Sequence, residues 1–339
     1  MRIPLFRTIR GAFHRAAGLI AALATGAIGV NYMGHTHQSP GLRGADATEK
    51  LPSWLLGVWS REWISERGVS SNTLDVHYLQ APTFFADVRF PVDQLRLRGA
   101  VSFADLTDAE LRLMARQRGF TGRTTLAGTT ATWHHEIDFQ PPDGRGDIGR
   151  LEPIPGVGMY EHALDDSYIE SWRRVTGGEG RFLVMRIERA GRLERILLVV
   201  GDHFLYVRNR GKDLPVAESL EALIESRRAS RPQIIEYLDC EFSVGRVRGG
   251  AVPWEIQRST LPWQDGRHLE LVDRITVTDG STGLVPKIAT AERWTVPVNT
   301  FASGELIALF GSTAALSKGP SISATGSSST GSPPPSHPR

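Results

Sequence analysis

The sequence predicts an all-β chain of two tandem antiparallel barrels, each with one short helix. Three observations point there. Strand-like alternation of apolar and polar residues dominates from about Leu51 onward. Gly and Pro interrupt it at short intervals, as at Ala81-Pro82, Phe90-Pro91 and Gln140-Pro-Pro-Asp-Gly144. The middle of the chain also reads as two copies. Phe85 and Phe204 are 119 residues apart (204 − 85), as are Arg89 and Arg208. Trp133 and Trp254 are 121 apart (254 − 133), as are Pro141 and Pro262. A period this long repeats a domain, not a solenoid unit. Short strands with one helix per copy suit small antiparallel barrels.

In the first copy, Leu74, Val76, Tyr78 and Gln80 alternate with Asp75, His77 and Leu79, the period of a half-buried strand. Phe84 to Phe90 is a second such run. Thr107-Asp-Ala-Glu110 forms a capping box that opens a helix, with Leu106 and Leu111 as its hydrophobic staple. Gly119 is the expected left-handed stop. Gly177-Gly-Glu-Gly180 carries no phosphate-loop Lys-Ser/Thr and reads as a linker between copies. In the second copy, strands over Arg195 to Arg208 are followed by a helix from Ser219 to about Arg228. Both helices are expected to pack as flanks against a barrel. The domain map is an extension over 1–50, lobe 1 over 51–176, lobe 2 over 181–302 and a tail over 312–339.

The 339 residues suffice for two domains. Lys and Arg total 39 against 37 Asp and Glu, a net charge of +2, so the clustered basic excess of a nucleic-acid binder is missing. The single cysteine, Cys240, excludes an intrachain disulfide and a Cys-rich zinc site.

The two ends differ from the middle. Residues 1–45 hold five Arg and no acid, with Ile3, Phe6, Ile9 and Phe13 at near-helical spacing. Such a start resembles a mitochondrion-like transit peptide. The uncharged stretch from Ala16 to Met33 offers the alternatives of a signal segment or a weak membrane anchor, so membrane contact is expected only through residues 1–35. If the extension is inert, the protein is cytoplasmic. The Ser/Gly/Pro/Thr tail cannot bury enough apolar surface to order itself and is expected to be disordered.

Thr132-Trp-His-His-Glu-Ile-Asp-Phe-Gln140 is the segment richest in chemistry. A period of two puts Thr132, His134, Glu136, Asp138 and Gln140 on one strand face, and Trp133, His135, Ile137 and Phe139 on the other. If the polar face is internal, the cavity holds a His and two carboxylates suited to proton transfer or to a polar head group. If the aromatic face is internal, the polar row is a solvated surface. At an offset of 121, His134 becomes Glu255, Glu136 becomes Gln257 and Asp138 becomes Ser259, which favours the first lobe as the functional one. Asp87 and Arg89 point the same way along their strand, and the Arg89 fork suits an anion or a structural ion pair. Trp59 and Arg61 are expected to close one barrel end by stacking. The adjacent His134 and His135 point to opposite faces and cannot share one ion, so no metal site and no cofactor is expected. Neither a Gly-x-Ser-x-Gly elbow nor a dinucleotide fingerprint is present.

Five motifs fall in order: Leu56-Gly-Val-Trp-Ser-Arg61, Val76-His-Tyr-Leu-Gln80, Phe85-Ala-Asp-Val-Arg89, Thr132 to Pro142, and Asp147-Ile-Gly149. Together they resemble the fungal Hri-type proteins and similar bacterial proteins, a largely uncharacterised two-lobed group. The resemblance covers roughly Leu51 to Thr300 and implies a double calycin, or lipocalin-like, fold. It implies no activity, and the long amino-terminal extension and Ser/Pro tail depart from the compact family pattern.

The expected function is binding of a small apolar or amphipathic molecule with a polar or anionic end, in a cavity of lobe 1. Tyr78, Gln80, Asp87, Arg89, His134, Glu136 and Asp138 are expected to line that cavity. One alternative is a non-metal lyase or isomerase on the same barrel, with His134 or Glu136 moving the proton. The other is a protein-binding scaffold without a cavity. Neither an enzymatic role nor an oligomeric state follows from the sequence.

Overall fold

The structure is a computed structural model that describes residues 50–92, 97, 99–280, 283–290 and 292–310. The expectations for the amino-terminal extension and the Ser/Pro tail lie outside these residues. Among the described residues, no helix is long and apolar enough to cross a membrane.

The first lobe runs β1 (Gly57–Glu66), β2 (Val69–Ser71), β3 (Leu74–Gln80), β4 (Phe84–Pro91), α1 (Asp108–Met114), β5 (Arg118–Ala127), β6 (Thr130–Asp138), β7 (Asp147–Ile154), β8 (Gly158–Ala163) and β9 (Tyr168–Arg174). Strands β1, β3, β4, β5, β6, β7, β8 and β9 follow one another around the sheet, and β9 pairs back onto β1. The closing register runs from Trp59 opposite Arg174 to Glu66 opposite Tyr168. Eight antiparallel strands therefore close a barrel, and β2 only folds back on the end of β1. Closure leaves each full strand with one face toward the interior.

Helix α1 begins as its capping box requires. The Thr107 hydroxyl accepts from the Glu110 amide, and the Glu110 carboxylate accepts from the Thr107 amide at 2.7 Å. It ends at Ala115, earlier than expected, and Gly119 is a strand residue. A Cβ on Gly119 would lie 2.9 Å from the Phe242 ring, so glycine is needed there for the lobes to approach, not to stop a helix.

One end of the barrel is shut by Trp59. Its indole nitrogen donates to the Leu55 carbonyl at 2.9 Å, and the Arg174 guanidinium lies 4.4 Å over the ring. Arg174 also donates to the Leu56 carbonyl at 2.6 Å. The stacking partner is thus Arg174, from the last strand, and not Arg61. Arg61 alternates with Trp59 but ends on the Glu170 carboxylate inside the barrel, where a buried guanidinium finds its counter-charge.

The second lobe runs β10 (Phe182–Arg189), β11 (Arg192–Val200), β12 (His203–Arg208), α2 (Leu220–Ser226), α3 (Arg231–Leu238), β13 (Glu241–Arg246), β14 (Glu255–Ser259), β15 (Ile275–Gly280), β16 (Gly283–Ile288), β17 (Thr295–Asn299) and α4 (Ser303–Phe310). Its six-stranded sheet has the order β14-β13-β12-β11-β10-β17, and β15 and β16 form a separate hairpin. Among the described residues this sheet does not close, so the expected second closed barrel is not formed. One helix was expected after β12 and two are present. Ser219 caps α2 by accepting from the Ala222 amide at 3.0 Å, and Ser230 with Pro232 starts α3. The lobe continues past 302, because Leu306 of α4 is buried and Phe310 stacks on Trp254.

The two lobes repeat one register. In β5–β6 the pairing passes from Thr121 opposite Ile137 to Gly122 opposite His135, which leaves Glu136 as the extra residue of a bulge. In β13–β14 it passes from Val244 opposite Arg258 to Gly245 opposite Ile256, which leaves Gln257 extra. Glu136 and Gln257 are 121 residues apart (257 − 136), the offset read between Trp133 and Trp254. Arg89 lies opposite Val76 and Arg118, and Arg208 opposite Arg195 and Glu241, on equivalent strands.

The largest apolar core lies between the lobes. Leu79, Val88, Phe90 and Ile137 meet Val184, Ile196, Leu198 and Phe242 there, together with buried side chains of α1, α2 and α3. The outer faces of β3, β4, β10 and β11 are therefore spent on lobe packing, and their inner faces define two separate interiors.

Candidate ligand site in the first barrel

The two interiors differ in polarity at matching positions. Tyr78, Gln80, Asp87 and His135 of lobe 1 correspond in register to Leu197, Val199, Tyr206 and Ile256 of lobe 2. The second interior is packed with its own side chains, among them Leu183, Leu197, Phe204, Trp254 and Ile256, against Phe310 of α4. The first holds a small cavity of about 20 Å³ that is open at a mouth. Its walls are four aromatic residues (Tyr78, Phe120, Trp133 and Trp172) and four charged ones (Asp87, Arg89, Asp147 and Glu161).

Strand alternation places the charged groups. On β4, Phe85, Asp87 and Arg89 face inward together. Arg89 grips Asp87 with both arms of its fork, Nε to Oδ1 at 2.8 Å and Nη2 to Oδ2 at 3.3 Å. It also lies 3.7 Å from Glu170, and its guanidinium sits 5.1 Å over the Phe120 ring. Burial works against the charge on Arg89, but Asp87 and Glu170 more than restore it and hold its proton firmly. Glu170 is shared with Arg61. Arg89 is therefore already engaged inside the protein.

Gln80 lies beneath the cavity and is fully buried. Its amide donates to the carbonyls of Ala81 at 2.7 Å and Phe84 at 3.2 Å. Its carbonyl accepts from Thr124 at 2.8 Å and from the Tyr78 hydroxyl. Tyr78 in turn accepts from the Trp133 indole at 3.1 Å. Gln80 thus fixes two aromatic walls without touching the cavity itself, and burial holds the Tyr78 phenol well above its ordinary pKa.

The mouth is built around His135. Its ring stacks on Phe120 with centroids 4.4 Å apart, while Nδ1 meets Asp138 at 3.0 Å and Nε2 meets Asp147 at 2.9 Å. Burial opposes its charge, yet the two carboxylates carry its pKa up to about 9. Deeper in, Glu161 accepts from the Tyr168 hydroxyl at 3.0 Å. Burial first, then the carboxylates of Glu170 and Asp147, push Glu161 well above the usual carboxylate range.

Of the residues expected at the site, Tyr78, Asp87 and Arg89 line the cavity and Gln80 supports it. His134, Glu136 and Asp138 do not line it. His134 is exposed and meets Thr125 at 2.9 Å on the outer face. Glu136 bridges Arg123 at 3.3 Å and Arg186 of β10 at 2.9 Å, so it ties the lobes together. Asp138 holds His135 at the rim. The physical reason is twofold: Trp133 and His135 turn inward, against Phe85 and Phe120, and the bulge at Glu136 breaks the alternation, so that Ile137 and Phe139 beyond it face the other lobe and no continuous polar row forms. Glu161, Glu170 and Trp172 were not singled out from sequence. The alternation Glu170-Ser171-Trp172, with acid and indole two apart, was the available signal.

No family model matches the chain, and no curated protein matches it. Among solved structures, the chain is similar to the crystal structure of an uncharacterised Saccharomyces cerevisiae protein, YLR301w, at 10% identity. That likeness covers 72% of this chain and 99% of the other, with a TM-score of 0.43.

Proposed function

We propose that lobe 1 is a small-molecule binding barrel and that lobe 2 is its rigid support. The reading rests on one contrast: two lobes of like register have opposite interiors, one filled with its own apolar side chains and one keeping a polar, aromatic-walled cavity. Aromatic walls would hold an apolar body and the charged groups a polar end. The repeated strand order, register and bulge support descent of both lobes from one duplicated calycin-like barrel, with the second opened after its interior was filled. That also accounts for a ligand site in one copy only.

Native purification followed by mass spectrometry of released small molecules tests the function. A reproducible bound species that is lost from a Trp133→Ala variant supports it. An empty protein whose melting is unmoved by any member of a small-molecule panel removes it.

A second reading keeps the cavity but adds proton transfer. His134 and Glu136 have no part in it, since both lie outside the barrel. The group that favours it is Glu161, a carboxyl in the cavity wall whose pKa burial raises well above the ordinary range.

A further inference from the structure

We propose that the cleft between the two lobes, outside the barrel, binds a small organic carboxylate with an apolar body, held by Arg118. The cleft has a volume of about 440 Å³ and shares no lining residue with the barrel cavity. That volume falls in the range of roughly 300–1,000 Å³ usual for small-molecule sites. One wall is lobe 1, from the start of β3, the end of β4 and the segment between α1 and β5; the other is Ser219 and Glu221 at the start of α2 in lobe 2.

The shared register of the lobes shows what Arg118 lacks. In lobe 2, Arg208 of β12 lies opposite Glu241 of β13 and meets its carboxylate at 3.5 Å. In lobe 1, Arg89 lies opposite Arg118. Arg118 and Glu241 are 123 residues apart (241 − 118), the same offset as Gly122 and Gly245 at the bulges of these two strands (245 − 122). An acid that closes an ion pair in one lobe is thus replaced by a second arginine in the other, and like charges directly opposite destabilise a strand pair. Arg89 is taken up by Asp87. Arg118 has no hydrogen bond or ion pair from its side chain among the described residues; its electrostatic neighbours are Arg89, Arg61 and Glu66, and that one acid makes no ion pair with it. A ligand carboxylate in the cleft restores the charge that Glu241 supplies in lobe 2, and the guanidinium fork suits it.

The rest of the wall describes the remainder of the molecule. Leu74, Pro91 and Val92 line the cleft, and Val92 is left 58% exposed, an apolar surface for an apolar body to cover. The Ser219 hydroxyl accepts from the Ala222 amide, so its own proton is available to a second carboxylate oxygen. Glu221, the single acid of the wall, disfavours an ion of higher negative charge.

The test titrates benzoate, benzamide and inorganic phosphate into the full-length chain at constant ionic strength, by calorimetry and by shift of the melting temperature. Benzoate should bind, and benzamide, which has the same shape without the charge, should bind more weakly. Arg118→Gln should weaken benzoate on the order of tenfold or more, as for loss of one charge-assisted contact. Arg118→Glu, which copies the residue of lobe 2, should abolish it. Arg118 is exposed, so both variants should fold. Val92→Trp, which fills the cleft from its apolar wall, should block benzoate with Arg118 intact. Benzoate binding untouched by Arg118→Gln, or no binding of benzoate at all, overturns the proposal. Phosphate binding that depends on Arg118 without benzoate binding overturns the apolar body. Benzoate binding that is lost in Trp133→Ala but kept in Arg118→Gln overturns the cleft and leaves the barrel as the ligand site.

Discussion

Gly122 in β5 and Gly245 in β13 occupy the same place in two different sheets. A Cβ on Gly122 would collide with the backbone carbonyl oxygen of His134, and a Cβ on Gly245 with that of Glu255. His134 and Glu255 are again 121 apart (255 − 134), and each glycine sits at the register step of its bulge. The bulge brings the neighbouring strand too close for any side chain.

Replacement of either glycine by alanine should therefore destabilise the whole protein. The obstacle is backbone, which cannot swing aside, so the cost should reach the upper end of overpacking penalties, about 3 kcal/mol. Gly146→Ala is the control, since its Cβ would meet only Ile148 at an ordinary 3.5 Å. Urea midpoints should fall for the first two variants and stay within about 0.5 kcal/mol for the third.

Arg89→Ala separates a structural ion pair from an anion clamp. The Asp87 side chain is 2% exposed and depends on Arg89 for its counter-charge. Removing Arg89 alone strands a buried carboxylate and should cost about 3–5 kcal/mol. Removing the charge on both sides with Asp87→Asn should restore much of that loss. A double-mutant cycle in denaturant measures the coupling. A single variant that melts like the wild type would show that the pair holds nothing together.

The strand alternation that placed Tyr78, Gln80, Asp87 and Arg89 in the first interior was legible because β3 and β4 have unbroken registers. The register that the two lobes share was legible because Phe85, Arg89 and Trp133 have like residues at a near-constant offset. What failed did so at irregularities. A bulge leaves no mark on the hydrophobic pattern beyond a glycine on the partner strand, so the row His134, Glu136 and Asp138 read as one face. Gly119 looked like a helix stop because close approach between lobes and a left-handed turn both call for glycine. Glu170, the acid that Arg61 and Arg89 share, lies 81 or more residues away (170 − 89) on β9, a distance over which a single sequence carries no pairing signal.

His135 gives the barrel mouth a pH dependence with a definite sign. Its pKa is about 9 in the folded chain, above the ordinary value near 6.5. The stabilisation from Asp138 and Asp147 is fully present below pH 6.5 and is lost as pH rises through about 9. With the side chain 24% exposed, the loss should be about 2–3 kcal/mol. Wild-type stability should fall over that window, and His135→Gln should show a flatter profile. An imidazole titration followed by NMR should give a midpoint near 9 that drops in Asp147→Asn. A midpoint at the ordinary value would remove the clamp at the mouth.

Glu161 adds a second alkaline sensitivity, and here the substitution should help. Burial and the neighbouring Glu170 and Asp147 raise its pKa in the folded chain, while the unfolded chain ionises near 4.5. The contribution is complete below that unfolded value and diminishes as pH rises toward the folded one, because only the unfolded chain releases the proton freely. Glutamine stays neutral at every pH and keeps a carbonyl for Tyr168. Glu161→Gln should therefore gain stability relative to wild type between pH 5 and pH 8 when no ligand is added. Paired urea melts at the two values measure the change in the difference. A difference that stays constant would mean that Glu161 ionises alike in the folded and unfolded chains. In that case the acidic field at this end of the barrel, from Glu170 and Asp147, would be too weak to raise the Glu161 pKa.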